Sequence, residues 1–246
     1  MISEPRSADT PSTAVPCIRD DGFEIYRGVF TAEEIALLRT EADRICREAG
    51  SACVRNPRSR SAMFAALSEL PKLMALLPSG LSTVRSILFD KTEAANWPVA
   101  WHQDLTIAVA EEVPCESYGP WSVKDGIPHV QPPVTLLESM VTARIHLDPT
   151  GADNGALTVV PRSHRNGKLD SNSITSLTDG GAVICECRPG DVLIVSPLIL
   201  HSSKRSRRPD HRRILHFEYA PPDALDYRLS WHESSAKAPT SLPRFP

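Results

Sequence analysis

Near Leu81 the apolar residues of this chain change period, and that change constrains the fold more than any other feature of the sequence. Before it, apolar positions recur at helical spacing. After it come short β-branched or alternating segments, at 81–90, 98–109, 134–148, 155–161, 181–187, 191–200 and 212–220, bounded by Pro, Gly, Asn and Asp. Short strands with turn signals between them predict a sandwich or jelly-roll barrel. Helices followed by a run of strands predict an α+β, mainly β protein with the N-terminal helices flanking the sheet.

The first helix is well marked. Thr31 caps it, Glu34 completes a capping box, Ile35, Leu38, Ala42 and Ile45 form one stripe, and Gly50 ends it. A second helical stretch covers Ser61 to Leu77, and Pro71 divides it into two short helices. Residues 1–20, rich in Ser, Thr, Pro and charge, are expected to be a mobile tail before a single domain over 21–246. Segments 110–133 and 163–178 are too polar and aperiodic for regular elements. The first of them directly follows the His102-Asp104 strand, so it is expected to be a lid or active-site loop, with Trp121 and His129 as candidate substrate contacts.

Composition excludes more than it proposes. With 246 residues, 41% hydrophobic and 23% charged, the chain suits one globular core. A net charge of −3 points to neither nucleic acid nor a membrane surface. No apolar run approaches the roughly 20 residues that span a bilayer. The N-terminus lacks a signal-peptide core, and six scattered cysteines form no CxxC pair, so a cytoplasmic protein with reduced thiols is expected. The basic residues Lys204, Arg205, Arg207, Arg208, Arg212 and Arg213 have no aromatics among them and are read as a solvated loop.

The chemistry starts at Trp101-His102-Gln103-Asp104. On an extended strand His102 and Asp104 share a face, and Trp101 and Gln103 take the other. Such a pair supplies two ligands of a 2-His-1-carboxylate iron site. The third is expected on a distant strand, and His201 is the candidate because a Gly190-Asp191 turn launches an apolar strand that ends at it. Alternation adds a lining. Thr142, Arg144 and His146 share one face against Val141, Ala143 and Ile145, while Arg212, Ile214, His216 and Glu218 oppose Arg213, Leu215 and Phe217. If helices cover the apolar faces, the polar faces line solvent or a hydrophilic lumen. Arg144 and Arg212 in such a lumen suit a dicarboxylate beside the metal.

Taken with Asn154-Gly155-Ala156-Leu157-Thr158-Val159-Val160-Pro161-Arg162-Ser163-His164 and Gly190-Asp191, these residues resemble the phytanoyl-CoA dioxygenase family over about 20–220. The resemblance implies a double-stranded β-helix (jelly-roll, cupin-like) fold and an Fe(II)- and 2-oxoglutarate-dependent dioxygenase, with O2 as co-reactant. It assigns His102, Asp104 and His201 as iron ligands. It places Arg212, eleven positions after His201, at the far carboxylate of 2-oxoglutarate with Ser203 as helper. Arg144 stands where relatives often carry Trp, and is assigned to a carboxylate of cosubstrate or substrate. Arg162 departs from the Gly that commonly precedes Ser-His, which alters a turn, and His164 fixes that turn. The implied reaction hydroxylates an unactivated C–H bond of a small-molecule substrate and releases succinate and CO2. Relatives that halogenate replace the carboxylate ligand with a small residue, so the presence of Asp104 favours hydroxylation. Two other readings share the residues: a jelly-roll binding or sensor protein without turnover, and a cupin-like metalloenzyme that needs no cosubstrate.

Overall fold

Thr31 accepts a hydrogen bond from the Glu34 amide at 3.3 Å, and Glu34 returns one from the Thr31 amide at 2.8 Å. That capping box starts the longest helix of a computed structural model that describes residues 18–207 and 210–233. In chain order the elements are α1 (Ile18–Asp21), β1 (Phe23–Tyr26), α2 (Ala32–Ala49), β2 (Cys53–Arg55), α3 (Pro57–Arg60), α4 (Ala62–Ser68), α5 (Pro71–Met74), β3 (Ser82–Lys91), β4 (Val99–His102) and β5 (Ile107–Ala108). Next come β6 (Trp121–Lys124), β7 (Ile127–Val130), α6 (Val134–Glu138), β8 (Val141–His146), β9 (Leu157–Val159), a 3₁₀ turn at Ser163–Asn166, α7 (Ser171–Thr178), β10 (Val183–Cys185), β11 (Val192–Val195), β12 (His201–Ser203) and β13 (Arg212–Ala220). Among the described residues no helix is long and apolar enough to cross a membrane.

The strands form three sheets with antiparallel neighbours. The large sheet runs β1-β11-β8-β13-β3-β2, the second β10-β9-β12-β4, and a small one β5-β7-β6. The large sheet is buried on both sides. Its outer face, with Val141, Ala143, Ile145, Leu215 and Phe217, packs against Ile35, Leu38, Ala42 and Ile45 of α2 in one cluster. Each of the Val, Ile, Leu and Phe side chains among them contributes about 1.5–3 kcal/mol by leaving water. Its inner face meets the second sheet. At one end Phe23, Leu193 and Val195 pack on Leu157, Val159 and Cys185. At the other end the facing side chains are polar and leave a cavity. The architecture is the expected jelly roll, built as facing open sheets without a closed barrel.

Local departures from the sequence reading have identifiable causes. Ile18–Asp21 is already helical, so order begins before residue 21, and residues 1–17 (with Cys17) and 234–246 lie outside the described residues. Within 61–77 the expected two short helices are present, Ser61 capping α4 and Pro71 opening α5 as a first-turn proline, and a further short helix, α3, precedes them at Pro57–Arg60. The stretch 134–148 is not one strand. Pro133 precedes the helical turn α6, whose Leu136 and Leu137 are buried, and only Val141–His146 is extended. The 110–133 segment contains regular structure after all, since β6 and β7 form a hairpin whose turn is Asp125-Gly126 with φ of 51° and 78°. Both residues are left-handed, the requirement of a two-residue hairpin turn, and Asp-Gly is the sequence that meets it. In 163–178, Asp170 accepts from the Ser173 amide at 2.7 Å and caps α7, a helix with no buried residue and so no apolar stripe to read. The basic run also divides: Lys204, Arg205 and Arg207 are exposed, Arg208 lies outside the described residues, and Arg212 and Arg213 are buried in β13.

The Pro-Arg-Ser-His turn explains both of its unusual residues. Arg162 adopts φ 68°, where glycine is at ease and arginine is not. Its side chain reaches Asp21 at 3.2 Å but stays 71% exposed, an ion pair of little worth. His164 packs its ring on Gly22, where an added Cβ would lie 2.5 Å from Nδ1. Replacing Arg162 with Gly is therefore expected to stabilise the fold by about 0.5–1 kcal/mol, the relieved strain exceeding the entropy glycine adds to the unfolded chain. A higher urea midpoint with an unchanged slope is the expected signature, and a lower midpoint contradicts the strain argument.

Candidate metal centre

Strand pairing brings two histidines together. β12 runs antiparallel to β4 with His201 opposite His102, and their ring centroids are 4.2 Å apart. Each ring donates its Nδ1–H to the backbone carbonyl two residues back, His102 to Ala100 at 2.8 Å and His201 to Ile199 at 2.9 Å. Both Nε2 lone pairs are thereby freed to face the same point, the tautomer a metal ligand requires. Asp104 completes the set, with Oδ1 3.6 Å from His102 Nε2 and Oδ2 3.7 Å from His201 Nε2. These separations are too long for hydrogen bonds and suit ligands that share one cation.

The approach to His201 differs from the expected one. Gly190-Asp191 launches β11 in the large sheet, which ends at Val195. The chain then crosses through 196–200, and His201 opens β12 in the facing sheet. Nor does Asp104 lie in a strand, since β4 stops at His102. It is fixed instead by its amide, which donates to Pro197 O at 2.9 Å. Gln103, facing the opposite way as the alternation predicts, uses its whole amide as a clamp. Nε2 donates to Leu198 O at 2.6 Å and Gly167 O at 2.8 Å, and Oε1 accepts from the Leu169 amide at 2.8 Å. The ligand-bearing segment is thus tied to the crossover that delivers His201.

Charges at the centre favour ligation. Burial works against the Asp104 carboxylate, but His201, His102 and His216 hold it well below the usual range. Burial pushes His201 down to about 4, which leaves its imidazole neutral.

A cavity of about 210 Å³ extends from the triad between the two sheets, and Arg144, Arg212 and Ser203 line it as expected. Arg212 is 4% exposed, donates Nη1 to Gly155 O, and has no partner for its buried Nε. Ser203 Oγ donates to the same carbonyl at 3.0 Å. Gly155 belongs to the Asn-Gly-Ala-Leu stretch for a steric reason: at φ +63° a Cβ there would sit 2.5 Å from Lys204 O. Arg144 donates Nη1 to His216 Nδ1 at 3.0 Å, and its Nε is also buried without a partner. His216 in turn donates Nε2–H to Glu218 at 3.2 Å.

Sequence reasoning missed Lys91. It is 2% exposed, lines the same cavity and donates to Ser203 Oγ at 3.1 Å. Burial, followed by the charges of Arg212 and Arg144, lowers its ammonium to about 7. The signal was available in the alternation of β3, whose Arg85, Ile87, Phe89 and Lys91 share the cavity-facing side. Among the described residues none of Lys91, Arg144 and Arg212 has a carboxylate partner in an ion pair, so the cavity holds three basic groups, Lys91 and Arg212 buried and Arg144 partly so, that suit an anionic guest.

Other candidates fall outside this site. His129, on β7 of the hairpin, is fully buried, and burial pushes it down to about 4. Trp121 packs on the cluster of Val84, Ile107 and Trp231 as an anchor. Arg213, the rival of Arg212, points to the helical side and pairs with Asp148 at 2.8 Å and Asp43 at 2.6 Å. A second close group, Asp43, Asp90 and His211, is already satisfied by Arg213 and by the His211–Asp90 contact of 2.9 Å.

Residues 18–214 match the family described as phytanoyl-CoA dioxygenase (PhyH). No curated protein sequence matches the chain. Among solved structures the chain is similar to SnoN, a non-heme alpha-ketoglutarate-dependent epimerase from nogalamycin biosynthesis, with a TM-score of 0.65 and 21% identity over 83% of this chain and 78% of that one. It is similar to the carbocyclase SnoK of the same biosynthesis, with a TM-score of 0.65 and 16% identity over 84% of this chain and 82% of that one. It is also similar to HygX from Streptomyces hygroscopicus, solved with nickel and 2-oxoglutarate bound, with a TM-score of 0.59 and 21% identity over 83% of this chain and 84% of that one. At these identities the likenesses show the fold.

Proposed function

Because the chain belongs to the phytanoyl-CoA dioxygenase family, we propose that it is an Fe(II)- and 2-oxoglutarate-dependent dioxygenase that hydroxylates a C–H bond of a small-molecule substrate. The observation that carries this reading is the meeting, in one cavity, of a His-Asp-His set with both Nε2 atoms freed and the basic groups of Lys91, Arg144 and Arg212, which among the described residues have no carboxylate partner. The donor set fits iron(II), since two imidazoles and one carboxylate leave coordination positions open for reactants.

In this reading His102, Asp104 and His201 hold the iron. When bound, iron with 2-oxoglutarate and O2 supplies the C–H-oxidising chemistry, with succinate and CO2 as the other products. The chain's own residues orient and shield. Arg212, Lys91 and Ser203 receive the far carboxylate at the closed end, and Gly155 O fixes the directions of Arg212 and Ser203. Arg144, anchored on His216, stands between that end and the triad and offers its free donors to a carboxylate nearer the metal. We place the lid in the hairpin within 110–133, whose Lys124 reaches Thr106 two residues after Asp104, and read 21–246 as a single domain. Asp104 retains the carboxylate whose loss opens the iron to halide in halogenating relatives, which favours hydroxylation. SnoN and SnoK are described as an epimerase and a carbocyclase, so this fold also carries outcomes other than hydroxylation.

Anaerobic titration of the iron(II) protein with 2-oxoglutarate tests this reading through a charge-transfer band, followed in air by succinate release over a metabolite panel. Absence of both removes it. Lys91 adds a pH dependence, and its neighbours across the cavity are Arg212, Arg144 and Ser203. With a folded-state value of about 7, Lys91 is charged before the cosubstrate arrives below that pH, and binding must take up a proton above it. Affinity for 2-oxoglutarate is therefore expected to be flat below pH 7 and to fall by up to about tenfold per unit above it. Lys91→Met flattens the profile, and an unchanged profile in that variant excludes Lys91 as its source. In the unliganded protein the destabilisation from the depressed lysine is complete below pH 7 and fades as pH rises toward its unfolded value.

A further inference from the structure

The cavity has a second polar end that the iron site and cosubstrate do not use. β13 pairs with β3 so that Arg212 lies opposite Lys91 and Glu218 opposite Arg85, six residues further along each strand. At 3.3 Å per residue the two ends are about 20 Å apart, with the triad facing the stretch between them. Arg85 is 9% exposed and donates Nη1 to Glu218 Oε1 at 2.9 Å and to Thr106 O at 3.5 Å. Its Nε and Nη2 make no hydrogen bond among the described residues, and the side chain lines the cavity.

The hairpin holds a second cation beside Thr106, next to Arg85, although neither Lys124 nor Thr106 lines the cavity itself. Lys124, the last residue of β6, donates Nζ to Thr106 Oγ1 at 3.1 Å, and among the described residues it makes no ion pair. Thr106 therefore holds Lys124 on its hydroxyl and Arg85 on its carbonyl, two residues after Asp104 in the chain. Lys124 is close enough for the charges of Arg85, Arg55, Asp104 and Glu218 to act on it. The nearby cations are otherwise matched, Arg85 by Glu218 and Arg55 by Asp125 at 2.8 Å, so the Lys124 ammonium is the charge left over.

Size leaves little room in the cavity beyond the cosubstrate. A cavity of about 210 Å³ is smaller than the roughly 300–1,000 Å³ of typical ligand pockets, so it holds a guest the size of the cosubstrate, and the substrate reaches the metal from the mouth. We infer that Lys124 and Arg85, joined through Thr106, form a receptor for an oxyanion on the substrate, a carboxylate or a phosphate carried near the carbon to be oxidised. This deepens the oxygenase reading and rests on it. Lys124 is a specificity residue on the β6–β7 hairpin that registers the anionic group of the substrate.

The test uses the full-length, iron-loaded chain saturated with 2-oxoglutarate, so that the Lys91–Arg212 end is filled. The melting midpoint is followed against acetate and inorganic phosphate at fixed ionic strength, with acetamide as the neutral control. A saturable rise with one or both anions is expected. The apparent anion affinity falls about tenfold in Lys124→Met and stays within about threefold in Lys124→Arg. The tighter anion identifies the substrate group as carboxylate or phosphate. No saturable rise in the parent chain, or an equal one in Lys124→Met, overturns the receptor. The charge-transfer band of the same samples reports separately on the oxygenase reading, and the dependence of the anion effect on Lys124 is readable whether or not that band is present.

Discussion

Replacing His201 with alanine is expected to strip the protein of iron and to lower succinate release by about a thousandfold or more. The scale follows from the centre's chemistry. A bound metal contributes several kcal/mol of transition-state stabilisation, and roughly 4 kcal/mol corresponds to three decades of rate. His201 is also the ligand the fold holds most firmly. It is 5% exposed, its Nδ1–H is committed to Ile199 O at 2.9 Å, and it sits opposite His102 across β4 and β12. Outer-shell partners of metal ligands alone are worth about 10–100-fold, so loss of the ligand itself exceeds that. The informative control is His164→Ala. His164 belongs to the conspicuous Pro-Arg-Ser-His stretch, yet its Nε2 meets Arg19 O at 3.3 Å and its ring packs on Gly22. Iron content should stay near one per chain in that variant, with any loss confined to stability. Measuring iron per chain after gel filtration, together with succinate, separates the two roles. A His201→Ala protein that keeps a full complement of iron and turns over removes His201 from the ligand set.

The two histidine substitutions also mark how far the sequence could be read. Features governed by a fixed period were legible. The capping box at Thr31 and Glu34, the stripe on α2 and the division of β8 and β13 into one apolar and one polar face all appear where period and chemistry place them. Contacts made by turns were not legible. His201 seemed to end the strand launched by Gly190-Asp191, whereas the chain leaves one sheet at Val195 and enters the other at residue 201. Only Ser196-Pro197 marks that crossover, and Leu198, Ile199 and Leu200, all buried, follow it at once, so the stretch reads as one apolar strand. Gln103 looked like the idle side of a strand, and its three partners come from segments 64 to 95 residues away. Lys91 and Arg85 were readable in principle, since they continue the alternation of β3. A charged residue in a strand is ordinarily on a wet face, whereas here both faces of the sheet are covered, so the charge masks the burial.

Arg212→Met is expected to move binding and stability in opposite directions, weakening 2-oxoglutarate by about a hundredfold and raising the melting midpoint of the unliganded protein. The first effect follows from desolvation. Removing one partner of a buried, hydrogen-bonded charge pair costs about 2–5 kcal/mol, the upper part of the range applying when the remaining charge is left unpaired. The second follows from what surrounds Arg212 when the cavity is empty of anions. Burial, then the charge of Arg144, pulls its guanidinium down to about 10. A base depressed in the folded state destabilises that state at every pH below its folded value, so the penalty is complete at neutral pH. Nε has no partner, and Nη1 is satisfied only by the carbonyl of Gly155. Methionine of similar length fills the space without the charge, which is expected to be neutral or to stabilise by up to about 2 kcal/mol. Arg213→Met is the contrasting case: that guanidinium is paired with Asp148 and Asp43, and its removal leaves a buried carboxylate behind. It is expected to lower the midpoint and leave cosubstrate affinity unchanged. Neighbours in sequence and equal in charge, the two arginines differ only in which face of β13 they occupy. A midpoint that falls in both variants would show that Arg212 is held for the fold and not for the anion.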